Sequence, residues 1–216
     1  MKYKTILFDL DGTLTDPKVG ITKAVAFALK KFKQIDANLD DLTKFIGPPL
    51  MDSFMNFYGF SEQEADLAIL YYREYFSETG IFENEVYPGI RALLNALKND
   101  GRVLAVATSK PTVFAQRILE YFDLEGYFTC VVGSNLDGTR VKKAEVIAEV
   151  LSLLQVDCKS EVIMIGDREH DVIGAKQVGI HSIGVEYGYG TYEELERAGA
   201  DFIVKQIQDI EALLIQ

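Results

Sequence analysis

The sequence predicts an α/β fold: a parallel sheet with helices on both faces, and an all-helical insert after the first strand. Three observations point there. After about residue 88, short apolar runs alternate with amphipathic stretches, as when strands covered on both faces are joined by helices. Between residues 17 and 83 strand signals are few, and apolar residues fall at helical spacing. The length, 216 residues, suits one core carrying a small insertion.

The elements follow in order. Lys4 to Asp9 (KTILFD) reads as a buried strand ending on a carboxylate, with a turn at Gly12-Thr13. Val19, Ala24, Phe27, Ala28 and Phe32 give the first helical stripe of the insert. Leu50, Phe54 and Phe57 give another, and Leu67, Leu70, Tyr71, Tyr75 and Phe76 a third. Three or four helices are expected there. Pro88-Gly89 then restarts the alternation: helix 90–97, strand 103–107 (VLAVA), helix 114–121, strand 128–132, helix 144–154 and strand 161–165 (EVIMI). Helix 172–178, strand 181–185, helix 192–197, strand 202–204 and a last helix 207–215 complete it. The expected division is a core of residues 1–16 and 84–216 with an insert of residues 17–83.

Composition narrows the function. Hydrophobic residues are 48% and charged residues 25%, as in globular proteins. A net charge of -11 argues against a nucleic-acid polymer as partner, because the surface repels phosphates. A small phosphorylated metabolite is not excluded, since a bound cation and local lysines reverse the sign inside a pocket. No run is apolar and long enough to span a bilayer, so no membrane association is expected. The start, MKYKTILFDLDG, meets Asp9 and Asp11 too early for a signal peptide, and the expected location is the cytoplasm. Cys130 and Cys158 have no metal-like spacing; Cys130, inside an apolar run, is expected to be a buried reduced thiol.

Polar residues follow four of the predicted strands. Asp9 and Asp11 follow the first, Thr108, Ser109 and Lys110 follow VLAVA, and Asp167 and Asp171 follow EVIMI. Lys142 and Lys143 open the helix after strand 128–132. Right-handed crossovers carry all strand C-termini to one edge, where such sheets bind ligands. Carboxylates gathered there call for a hard divalent cation, and magnesium suits oxygen ligands. A lysine and small hydroxyls beside it can hold phosphate, and a nearby carboxylate can attack it. Each feature alone has a plainer reading. Asp-x-Asp-Gly can be a turn, Lys143 a solvated charge, and Thr108-Ser109 a helix cap. The four in this order are harder to explain as turns.

At these residues the chain resembles the haloacid dehalogenase-like hydrolase superfamily over nearly its whole length. Phe8-Asp9-Leu10-Asp11-Gly12-Thr13-Leu14 is similar to the first family motif and Thr108 to the second. Lys143 is similar to the third, and Gly166-Asp167-Arg-Glu-His-Asp171 to the fourth. The resemblance implies a Rossmann-like core with a small helical cap. It also implies an Mg2+-dependent phosphatase working through an aspartyl-phosphate. Asp9 would then be nucleophile and metal ligand. Asp11 would be acid and base, with its carbonyl on the metal. Thr108, Ser109, Lys143 and Gly12 would hold phosphate, Lys143 would orient Asp9, and Asp167 and Asp171 would complete the metal site. Lys142 competes with Lys143 for the third motif, and alignment with the family pattern favours Lys143. Arg168, where many relatives have a smaller residue, is expected either to pair outward, the favoured reading, or to reach the pocket rim.

Caps read the leaving group, and Gly47, Pro48 and Pro49 form the candidate substrate-facing loop; a simple helix–helix corner fits them equally well. Within the family the chain looks similar to phosphoglycolate phosphatases, with the 5′-nucleotidase branch as the alternative. A β-phosphoglucomutase-type mutase and a non-catalytic binding module are further alternatives. A dehalogenase is disfavoured by Asp11. A nucleotide-binding oxidoreductase is weaker still, because Gly188-Tyr-Gly190 supplies only a fragment of the dinucleotide pattern. Monomer and homodimer both stay open.

Overall fold

The structure is a computed structural model describing residues 2–215. Its chain forms two compact units, Met1–Asp16 with Val86–Gln216, and Pro17–Glu85. The first unit is a six-stranded parallel sheet. Its strands are β1 (Thr5–Phe8), β4 (Val103–Pro111), β5 (Cys130–Ser134), β6 (Val162–Gly166), β7 (His181–Val185) and β8 (Phe202–Val204). They run in the order β5-β4-β1-β6-β7-β8. The short strands β2 (Thr15–Asp16) and β3 (Glu85–Val86) mark where the chain leaves the sheet unit and returns.

Burial explains why the strands read as continuous apolar runs. Leu7, Ala105, Val162 and Met164 share one core cluster with Val146, Ile147 and Val150 of helix α6 (Lys143–Leu153). Their sequence neighbours Ile6, Phe8, Leu104, Val106, Ile163 and Ile165 point to the opposite face and are also fully buried. Burying each such side chain contributes about 1.5–3 kcal/mol. The remaining helices of this unit are α4 (Ile90–Asn99), α5 (Thr112–Tyr121), α7 (Glu169–Val178), α8 (Tyr192–Ala198) and α9 (Ile207–Leu214). They cover the sheet, with α6 against α7 and α4 against α9.

The second unit is helical among the described residues, with α1 (Lys18–Lys33), α2 (Leu50–Tyr58) and α3 (Glu62–Phe76) and 3-10 segments at Leu39–Phe45 and Gly80–Phe82. Helix α3 starts where it does because Ser61 and Glu64 form a capping box. The Glu64 N–H donates to Ser61 Oγ at 3.3 Å, and the Ser61 N–H to Glu64 Oε2 at 3.0 Å. Phe45, Phe54 and Phe60 build an aromatic core in this unit.

Three local expectations need correction. Strand β5 begins at Cys130 rather than Phe128, since Phe128 is taken up in edge packing on Phe8 at 6.2 Å. Cys130 is half-buried, because β5 is an edge strand. In α1 the spacing was right but the face is shifted: Ala24 and Ala28 of the expected stripe are buried, Val19 and Phe27 are exposed, and Ile21, Val25 and Leu29 complete the inner face instead. Small alanines let α1 lie close to α3, so bulk alone misleads about which face is inner.

Candidate active site

Three neighbouring strand ends bring the acidic residues together. Phe8 pairs with Val106 on one side and Ile165 on the other. Asp9 follows one residue beyond that row, and Thr108 and Asp167 two residues beyond it. The Asp9 N–H continues the ladder to the Ile165 carbonyl at 2.9 Å, which fixes the backbone that carries the carboxylate. Asp9 Oδ1 also accepts from the Leu10 N–H at 2.8 Å.

Lys143 opens α6 and reaches back under the sheet edge. Its Nζ lies 3.0 Å from Asp9 Oδ1, 2.7 Å from Asp171 Oδ1 and 3.1 Å from the Ala107 carbonyl. Three ammonium donors thus meet three acceptors, the condition under which a charge can be buried. Burial alone disfavours the charged lysine, but Asp171 and Asp9 more than offset it and hold the ammonium above its ordinary range. Lys142, next to it, is exposed. Asp171 sits in the first turn of α7, where its Oδ2 accepts from the Arg168 N–H at 3.1 Å. Burial pushes its carboxyl up to about 6, against the pull of Lys143.

Asp167 is fully buried, and burial followed by repulsion from Asp171 and Asp9 raises its carboxyl well above the usual range. The Tyr189 N–H donates to its Oδ2 at 2.7 Å, while Oδ1 is buried with no hydrogen-bond partner. Gly12 lies against this carboxylate: at φ 78° it is left-handed, and a Cβ there would stand 2.1 Å from Asp167 Oδ2. Oxygens of Asp9, Asp167 and Asp171 all lie within 4.8 Å of one another. Three buried carboxylates, one oxygen of them without a partner, fit a divalent cation, which would offset their repulsion.

Asp11 stands apart from that trio. Its Oδ2 pairs with Lys110 Nζ at 2.8 Å, and its Oδ1 is buried without a hydrogen-bond partner. Burial holds its carboxyl above the ordinary range, and Lys110 only partly offsets this. Thr108 is buried, and its Oγ1 accepts from the Lys110 N–H at 3.2 Å. The carbonyl of the half-buried Ser109 accepts from Ser134 Oγ at 2.9 Å. Arg168 pairs with Glu194 at 2.8 Å. Gly47, Pro48 and Pro49 belong to the helical unit, in the turn between the Leu39–Phe45 segment and α2, with Gly47 at φ 102°.

Two features carry no role in the sequence reading. Lys110 was noted only as a polar residue after a strand. The loop after β7 also braces the site. Besides the Tyr189 contact to Asp167, the Tyr187 hydroxyl donates to the Thr13 carbonyl at 3.0 Å and the Tyr189 hydroxyl donates to Asp16. Tyrosines alternating with glycines after a strand were the available signal.

Comparison with known proteins agrees with this geometry. Residues 6–185 match the family model described as haloacid dehalogenase-like hydrolase. A 5′-nucleotidase of Pseudomonas aeruginosa is 48% identical over 90% of this chain and 88% of its own. A tyrosine-protein kinase of Mycobacterium tuberculosis is 36% identical over 92% of this chain and 67% of its own. The crystal structure of a predicted phosphatase from Clostridium acetobutylicum superposes with a TM-score of 0.96 at 51% identity, covering 100% of this chain and 99% of that one.

Proposed function

The chain belongs to the haloacid dehalogenase-like hydrolase family, and from that membership we propose that it is an Mg2+-dependent phosphatase of small phosphate monoesters that works through an aspartyl-phosphate on Asp9. The observation that carries this reading is the buried lysine shared by Asp9 and Asp171, beside an Asp167 oxygen without a partner. Asp9, Asp167 and Asp171 would hold the cation with the Asp11 carbonyl, and the bound cation would neutralise charge on the transferring phosphoryl group.

The chain's own groups do the rest. A carboxylate oxygen of Asp9 attacks phosphorus, and the bond from phosphorus to the ester oxygen breaks. Asp11 gives its proton to that oxygen, so the leaving group departs as an alcohol. Asp11, now a carboxylate, takes a proton from water as the water oxygen attacks phosphorus, which frees Asp9 and releases phosphate. Thr108, the Ser109 N–H and Gly12 hold the phosphate oxygens, and the Lys143 ammonium, which orients Asp9, neutralises their charge. The helical unit would serve as the cap such enzymes carry, and Gly47, Pro48 and Pro49 are its proposed substrate-reading residues.

Nucleoside 5′-monophosphates lead as substrates, because the relative sharing 48% of its residues is named a 5′-nucleotidase. Phosphoglycolate, the substrate of the branch the sequence resembles, is the second arm of the test. The test is phosphate release from both, and from sugar phosphates and p-nitrophenyl phosphate, by wild type with Mg2+, wild type with EDTA, and Asp9→Asn with Mg2+. Activity in the first alone supports the reading, and the best ester sets the substrate class. Full activity of Asp9→Asn would sink the nucleophile assignment. The reading places the protein in the cytoplasm; among the described residues, no helix is long and apolar enough to cross a membrane.

A further inference from the structure

The scheme above gives Lys110 no part, yet it is one of the best-buried lysines of the sheet unit. Its side chain is 5% exposed and faces the 11%-exposed side chain of Asp11 at 2.8 Å. A buried ammonium is costly unless it is held against a fixed partner, and here the backbone is pinned on several sides. The strand β4 bulges between Ala107 and Pro111. Thr108 Oγ1 takes the Lys110 N–H, and Ser134 Oγ ties down the Ser109 carbonyl. On β5, Gly133 makes room for the Lys110 carbonyl, since a Cβ there would lie 2.0 Å from it. The segment thus delivers Lys110 to one oxygen of Asp11 and leaves the other, Oδ1, without a protein partner.

We propose that Lys110 is a positioning residue for proton transfer: it fixes the Asp11 carboxyl through Oδ2, keeps Oδ1 for the leaving oxygen, and stabilises the carboxylate left behind. This rests on the phosphatase reading, in which Asp11 gives its proton as the bond to the ester oxygen breaks. At that moment Asp11 passes from a neutral acid to an anion, and the Lys110 ammonium is already beside it. An interaction that strengthens as the proton leaves accelerates that step rather than binding alone. A leaving group that departs readily as an anion gains little from it.

The test compares Lys110→Met and Lys110→Arg with wild type on two esters, a nucleoside monophosphate and p-nitrophenyl phosphate, in Mg2+. The quantity read is kcat/KM, which reports the step that breaks the ester bond. For Lys110→Met on the nucleoside ester it falls at least about tenfold, a share of the ~10²–10⁴-fold that a positioned acid contributes. On p-nitrophenyl phosphate it changes little, and Lys110→Arg recovers part of the loss. An equal loss on both esters overturns the proposal, because it marks Lys110 as a phosphate holder or a purely structural charge. No loss on either ester overturns it as well. Asp9→Asn runs beside them: if it keeps full activity, the phosphatase mechanism falls and this proposal with it, whereas an inactive Asp9→Asn with equal losses at Lys110 removes only the proposal. Should Lys110→Met fail to fold, the ester ratio of Lys110→Arg against wild type decides: an unchanged ratio overturns the proposal.

Discussion

Both units of the chain are laced with lysine–carboxylate pairs at similar distances, and the pairs do different work. In the helical unit Lys30 lies 2.8 Å from Asp36, with the two side chains 53% and 84% exposed. In the sheet unit Lys143 lies 2.7 Å from Asp171, with side chains 3% and 2% exposed. Lys23–Glu83 and Lys18–Asp40 follow the first pattern, and Lys110–Asp11 and Lys143–Asp9 the second. Distance does not separate them; water does. Exposed pairs exchange one set of solvating partners for another and are screened by salt. Buried pairs have given up solvation and are tolerated where their charges are needed.

The comparison can be broken at its strongest point first. Lys143→Met leaves Asp9 and Asp171 buried without their cation. It should cost about 3–5 kcal/mol, the usual result of removing one partner of a buried pair. Urea unfolding in EDTA measures it, and a midpoint close to that of wild type would mean the pair is not buried in solution. Asp167→Asn should act in the opposite sense. Without metal, Asp167 repels Asp9 and Asp171, and its amide replacement can donate toward them while still accepting from Tyr189. Stability in EDTA should then rise, on the order of 1–3 kcal/mol, comparable to relieving a buried acceptor without a partner. The heat of Mg2+ binding seen by calorimetry with wild type should vanish in the same variant. A destabilised Asp167→Asn that still binds Mg2+ would contradict the account of the carboxylate trio. Lys30→Ala sets the other end of the scale, with a change below about 1 kcal/mol that shrinks further in high salt. A larger, salt-independent loss there would erase the distinction between the two units.

The sequence made the sheet legible because parallel strands covered on both faces must be apolar throughout, as VLAVA and EVIMI are. It brought the acidic residues to one edge because strand ends in such a sheet share an edge. What it hid were contacts set by tertiary packing. The pairing of Lys110 with Asp11 joins residues far apart in sequence, through a bulge that periodicity does not encode. The Tyr189 brace on Asp167 comes from a loop whose glycines resembled a fragment of another motif. The inner face of α1 was only half legible: Ala24 and Ala28 are buried as expected, but Ile21, Val25 and Leu29 share that face, while Phe27 lies at its rim against Tyr75 of α3.

The central claim is that the carboxylate of Asp9 becomes covalently phosphorylated. The most direct test quenches the enzyme during turnover with Mg2+, reduces it with borohydride and maps the product by mass spectrometry, since reduction converts an aspartyl-phosphate to homoserine. The account predicts homoserine at position 9 in the presence of substrate, and none when EDTA replaces Mg2+. Steady phosphate release with no modification at position 9, or with modification at another carboxylate, would contradict it.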